Sequence, residues 1–72
     1  MVLVCTYPDS AVHAWIAICK ALAEAAPGRH APLPKRKESG GYETVIDDLD
    51  SIQVWKIIFD VTDSGVSVTA KD

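Results

Sequence analysis

The spacing of apolar residues changes several times along this 72-residue chain, and each change predicts a different element. Residues 2–7 form a β-rich apolar run without alternation, which predicts a central strand covered on both faces. From Ala11 to about Ala26 the apolar period becomes helical. The predicted inner face of this helix carries Val12, Trp15, Cys19, Leu22 and Ala26, flanked by Ile18 and Ala23. The opposite face carries His13, Ala17, Lys20 and Glu24.

Turn-forming residues border this predicted helix on both sides. Asp9 or Ser10 can cap the free backbone N–H groups at its start, and Pro27-Gly28 ends it. Residues 27–41 then hold three prolines and three glycines around a single large aliphatic residue, Leu33. Irregular segments of this length are usually functional or disordered. We therefore expect a mobile basic loop at 27–41 within a single domain that spans residues 1–72.

The C-terminal half alternates between strand and turn signals. Residues 42–46 predict a second strand, 47–51 an acidic turn, 52–61 a third strand and 66–70 a fourth. A two-residue Ser64-Gly65 turn would pair the last two strands, with Val61 opposite Val68 and Phe59 opposite Ala70. The predicted fold is α+β, with one amphipathic helix packed on one face of a mostly antiparallel sheet of about four strands. The predicted order is β-α-β-β-β.

Composition narrows the class of protein. The chain is 49% hydrophobic and 24% charged, as globular proteins are, and its net charge of −3 provides no overall field for nucleic acid or anionic membrane. It has no apolar run long enough to span a membrane, and its N-terminus has no basic region typical of a signal peptide. We therefore expect a cytoplasmic protein. Cys5 and Cys19 are predicted to be free buried thiols, with a disulfide between them as the alternative.

The sequence predicts no catalytic residue, metal site or cofactor. His13 and Cys19 would lie on opposite sides of the helix and could not share an ion. Asp48 and Asp50 have the spacing of a calcium loop, but Gln53 stands where such a loop needs glycine. Neither cysteine lies in surroundings that would lower its pKa. We therefore expect a protein that is not an enzyme.

Two surface features suggest binding. Four of the seven basic residues lie in the loop, where they could contact phosphates or an acidic protein, or simply stay solvated. These candidate binding residues are Arg29, Lys35, Arg36 and Lys37. The acidic residues Glu43, Asp47, Asp48 and Asp50 could attract this loop within a subunit or between subunits.

The second feature is apolar. The predicted third strand would bury Trp55, Ile57, Phe59 and Val61 on one face. Its other face would expose a candidate interface of Ile52, Val54 and Ile58.

The function we expect is that of a small non-enzymatic protein-interaction module, such as an inhibitor, adaptor or regulatory subunit, acting through a sheet face or edge. The alternative is a nucleic-acid or phosphate-binding accessory protein that uses the basic loop 29–37. Because 72 residues lie near the lower limit for an unassisted core, we also expect a homodimer. Trp15 and Trp55 are predicted to belong to the core.

Overall fold

The computed structural model describes residues 1–11 and 13–72, so the predicted inward position of Val12 lies outside the described residues. The chain begins with strand β1, Val2–Tyr7, and helix α1, Ala14–Ala25. Two further strands follow, β2 at Lys35–Arg36 and β3 at Tyr42–Ile46. The chain then forms helix α2, Ser51–Val61, a 3-10 turn at Thr62–Ser64, and strand β4, Ser67–Lys71.

The four strands form one antiparallel sheet in the order β2-β3-β1-β4. Strand β3 lies between β1 and β2, and β1 lies between β3 and β4, so two β-α-β units interleave. This arrangement is the ferredoxin-like topology, which hosts many unrelated functions. The predicted α+β class, the four-stranded antiparallel sheet with a helix on one face, and the central position of β1 are confirmed.

Both helices pack on the same face of the sheet. Alternate residues of β1 are buried on that face, and Ile46 of β3 joins them. The intervening residues of β1 are half-buried, and Val45 of β3 is 40% exposed. The opposite face therefore remains open, contrary to the expectation that β1 is covered on both faces. The core is completed by side chains of α1 and α2, which also contact each other.

Helix α1 is shorter than predicted and slightly rotated. Its buried residues are Ala14, Ile18, Ala21 and Leu22, whereas Trp15 and Cys19 are only half-buried. The N-cap residue is His13, whose side chain makes no capping hydrogen bond, so the predicted cap at Asp9 or Ser10 is wrong. Ala26 is the C-cap residue, and the turn at Pro27-Gly28 follows as predicted.

Residues 52–61 were expected to form a strand, and this prediction is wrong because they form most of α2. The Asp50 side chain accepts a hydrogen bond from the Gln53 backbone N–H at 2.8 Å, and Gln53 Oε1 accepts one from the Asp50 N–H at 2.9 Å. This reciprocal capping box satisfies two backbone donors at the helix start. Arg29 also donates to the backbone carbonyls of Asp47 and Asp48, which steadies the turn before it.

The helical conformation reverses several predicted side-chain positions. Val54, part of the candidate interface, is buried in the core, and Ile58 is half-buried against it. Ile57 and Val61 are buried as expected. Trp55 and Phe59 were assigned to the core, but both project into solvent. In a helix, residues three and four apart lie on one face, whereas in a strand alternate residues do. The apolar residues of α2 are therefore divided between core and solvent differently from the way a strand would divide them.

Strand β4 begins close to the predicted position, but its partner differs. Val68 lies opposite Cys5 and Ala70 opposite Leu3, so the predicted hairpin with residues 52–61 is wrong. Gly65, at φ 83°, adopts the left-handed conformation after the 3-10 turn and leads the chain into β4. Neither helix in the described part of the chain is long and apolar enough to cross a membrane. The loop 27–41 is irregular apart from β2, and its mobility stays a prediction.

Candidate functional site

Three large, highly exposed apolar residues form a stripe along α2, namely Ile52, Trp55 and Phe59. These side chains are 79%, 71% and 81% exposed. Their spacing of three and then four residues places them along one side of the helix. Together they present on the order of 400 Å² of apolar surface, since one aromatic side chain carries about 150–250 Å². The largest apolar patch on a typical monomer covers about 300–600 Å² and is often functional, so this stripe is a candidate interaction site.

The α2 stripe lies outside the core, because the helix buries its other side. Val54, Ile57 and Val61 are 3% exposed or less. The open sheet face, by contrast, has only a small apolar centre. There Val4 lies opposite Val45, with Val2 farther along β1, and polar residues surround them, namely Thr6, Lys35, Glu43, Ser67, Thr69 and Lys71. The apolar surplus anticipated from the sequence therefore lies on a helix, and Ile52 alone of the predicted interface belongs to it.

The first basic loop residue, Arg29, contacts the acidic turn. Its guanidinium donates to the Asp47 carbonyl at 2.8 Å and pairs with the Asp47 carboxylate at 3.3 Å. The expected attraction between the basic loop and the acidic turn is therefore present within the chain. Asp48 in this turn has a positive φ of 53°, and its carbonyl accepts a longer hydrogen bond from Arg29. Arg29 thus supports the turn that leads into α2.

The other predicted basic residues lie at the opposite end of β3. Arg36 stands 3.6 Å from the Asp9 carboxylate and 5.8 Å from the centre of the Tyr42 ring. Lys35 lies opposite Glu43 on the open sheet face, and Lys37 follows β2 directly. The structure therefore brings Lys35, Arg36 and Lys37 near one another but separates them from Arg29. The four residues do not form one basic patch.

A second site lies where β1 ends and β3 begins. Arg36, Tyr42 and Tyr7 occupy adjacent positions on neighbouring strands. The two tyrosine rings stack with their centres 6.2 Å apart. The Tyr7 hydroxyl shares a hydrogen bond of 3.0 Å with the Thr44 hydroxyl, which fixes the ring against the sheet. Burial raises the pKa of Tyr7, so its phenol remains protonated near neutral pH.

Two adjoining depressions, here called the aromatic cleft, open at this end of the sheet. Their walls share Tyr7, Pro8, Asp9 and Tyr42. The more apolar depression, of about 320 Å³, adds Ala11, Trp15 and Pro34. The more polar one, of about 400 Å³, adds Thr6, Lys37, Gly40, Gly41, Gly65 and Ser67. Gly41 has a φ of 76°, and a Cβ there would lie 2.6 Å from the Tyr7 carbonyl oxygen. The wall therefore requires glycine at this position.

No sequence pattern indicates the aromatic cleft, because its parts are distant along the chain. Tyr7, Trp15 and Tyr42 come from β1, α1 and β3, and only the strand register brings the two tyrosines together. A local signal did exist for α2. Asp50 followed three residues later by Gln53, immediately before a long apolar run, is a capping-box pattern that predicts a helix start.

The two cysteines are free thiols. Burial raises the pKa of Cys5 to about 11 and also raises the pKa of the half-buried Cys19. Both therefore remain protonated near neutral pH, and a protonated thiol is a poor nucleophile. Within residues 1–11 and 13–72, the structure forms no group of three His, Cys, Asp or Glu side chains that could hold a metal ion.

Comparison with known proteins adds no relative. The chain matches no protein-family model, no curated protein and no solved structure.

Proposed function

We propose that this chain is a small non-enzymatic protein-interaction module that contacts another protein surface through the α2 stripe. The observation that carries the proposal is the high exposure of Ile52, Trp55 and Phe59 on one side of a well-anchored helix. Aromatic residues dominate the energetics of protein interfaces when they become fully desolvated. The proposal places the module in the cytoplasm, where its two thiols would remain reduced.

The occupant we propose for the α2 stripe is a second copy of this chain. An apolar stripe on a helix can pack against its own copy around a two-fold axis. The stripe supplies about half of the ~800 Å² that each partner buries in a standard interface. Flanking residues of α2 would have to supply the remainder. We therefore expect a homodimer of moderate affinity that forms at micromolar protein concentration.

Sedimentation equilibrium tests this proposal. The wild-type protein should approach twice the mass of the 7.8 kDa chain as its concentration rises. Phe59→Lys should weaken association at least about tenfold, because a central aromatic residue commonly contributes 2 kcal/mol or more to binding. Leu33→Lys is the matched control, since Leu33 is 78% exposed but lies alone on the loop.

Two results would contradict the proposal. One is a wild-type protein that remains a monomer at millimolar concentration. The other is equal weakening by Phe59→Lys and Leu33→Lys, which would mean that association depends on general surface hydrophobicity.

The alternative function, phosphate binding by the basic loop, has weaker support. Its four basic residues are divided between two ends of β3, and Arg29 and Arg36 already contact carboxylates. Phosphate binding draws its strength from several cations that act together. We therefore rank nucleic-acid binding below protein binding.

A further inference from the structure

The aromatic cleft offers a binding surface distinct from the α2 stripe, with which it shares no residue. Its apolar depression is lined by Tyr7, Tyr42 and Trp15 and by two prolines. Tyr7 is buried and hydrogen-bonded, so this wall is firmly held. Aromatic-lined grooves of this kind are the surfaces on which extended proline-containing segments dock in proteins.

The chain itself shows how such a segment would bind. The indole N–H of Trp15 donates a 3.1 Å hydrogen bond to the Pro32 carbonyl oxygen, and Pro34 forms part of the wall. The residues that precede these prolines are biased towards extended conformations. One proline-containing segment of this protein therefore already lies along Trp15, and the space between Pro34 and the tyrosines remains open beside it.

The charged residues around the aromatic cleft indicate the charge that its ligand would carry. Lys37 lines the polar depression, whereas Lys35 lies opposite Glu43 on the open sheet face and lines neither depression. Among the described residues, Lys37 forms no ion pair, whereas the carboxylate of Asp9, the other charged residue in the lining, is paired with Arg36. The positive charge left at the polar end favours a carboxylate.

We propose that the aromatic cleft binds an extended acidic peptide of a partner protein, with a proline in the apolar depression and a carboxylate beside Lys37. This inference goes beyond the proposed function, because it gives the chain a second binding site with a partner of its own. Proline-containing segments lose little conformational entropy on binding, so a shallow cleft on a small protein can hold them.

Fluorescence anisotropy with labelled peptides tests the proposal. The probes are fluorescein-labelled ten-residue peptides, each with two prolines followed by two glutamates, and a matched set in which lysines replace the glutamates. At about 0.15 M salt, where charges are screened beyond about 8 Å, the glutamate set should bind at least tenfold more tightly. Lys37→Glu should remove most of this preference, and Lys56→Glu on α2 is the matched charge-reversal control.

The apolar depression is tested separately with Trp15→Phe and Tyr42→Leu, which keep an apolar side chain at each position but remove the indole and phenol rings from the wall. Each should weaken binding of the glutamate set several-fold, and circular dichroism should show that both variants remain folded. Absence of saturable binding by either peptide set would overturn the inference. So would equal affinity for the two sets, or a Lys37→Glu variant that behaves like the wild type.

Failure of this inference can be distinguished from failure of the proposed function. Phe59→Lys should lose self-association but keep its affinity for the glutamate peptides, because the α2 stripe and the aromatic cleft share no side chain. A wild-type protein that dimerises but binds no peptide would contradict the aromatic cleft alone. A monomeric protein that binds the peptides would contradict the α2 stripe alone.

Discussion

The two helices pack on the same sheet face in similar ways, yet their outer sides differ in character. The outer side of α1 carries His13, Lys20 and Glu24, and its one large exposed aliphatic residue is Ile16, at 49% exposure. The outer side of α2 carries the stripe of Ile52, Trp55 and Phe59, all more than 70% exposed. Because both helices bury their other sides equally well, the outer side of α2 is not explained by folding. The contrast supports the proposal that α2 packs against a second surface.

The two helices also differ in how their N-terminal ends are capped. Helix α2 begins with a complete capping box at Asp50 and Gln53, preceded by a turn to which Arg29 donates hydrogen bonds. Helix α1 begins at His13 without any side-chain cap. A capped helix start loses less to fraying, and an interface needs a helix that keeps its position. The helix with the apolar stripe is therefore also the one with the better-defined start.

The largest expected effect compares the buried sides of the two helices. Ile18 of α1 and Ile57 of α2 are both fully buried, so Ile18→Ala and Ile57→Ala should each cost about 2–5 kcal/mol of unfolding free energy. Urea denaturation followed by circular dichroism measures this cost. Both changes should be made in the Phe59→Lys background, so that self-association does not contribute. If either variant keeps its full stability, that helix does not pack on the sheet as described.

An intermediate effect compares the helix starts. Asp50→Ala removes the acceptor for the Gln53 N–H and should destabilise the protein by about 1 kcal/mol. Asp50→Asn keeps an acceptor oxygen and should lose much less. His13→Ala should change stability by only a few tenths of a kcal/mol, because His13 makes no capping hydrogen bond. Equal losses for Asp50→Ala and His13→Ala in thermal denaturation would show that the two starts do not differ as described.

The difference between the two helices also explains which elements could be predicted from the sequence. The strands β1 and β3 and the presence of α1 follow from local apolar runs and turn residues, and the structure confirms them. Helix α2 was missed because its valine, isoleucine and aromatic residues favour strands. Apolar residues also lie on both sides of α2, so the sequence does not show the 3.6-residue period of a helix with one apolar face. In the sequence, an exposed apolar stripe cannot be distinguished from residues that face the core. The aromatic cleft depends on cross-strand register, which no local pattern encodes.

The smallest expected effect tests whether the outer side of α2 is exposed to solvent in the monomer. Phe59→Gln and its counterpart on α1, Ile16→Gln, should each change the unfolding free energy of the dilute monomer by no more than about 0.5 kcal/mol. The reason is that Phe59 is 81% exposed and Ile16 is 49% exposed, so neither change opens a cavity. Thermal denaturation over a dilution series separates this change in unfolding free energy from the effect of self-association.

The wild type and Ile16→Gln should melt at lower temperature as they are diluted, because dilution separates the copies. Phe59→Gln should melt at a temperature that depends little on concentration. A loss of about 3–5 kcal/mol in dilute Phe59→Gln would instead place Phe59 in the core, as residues 52–61 in a strand would require.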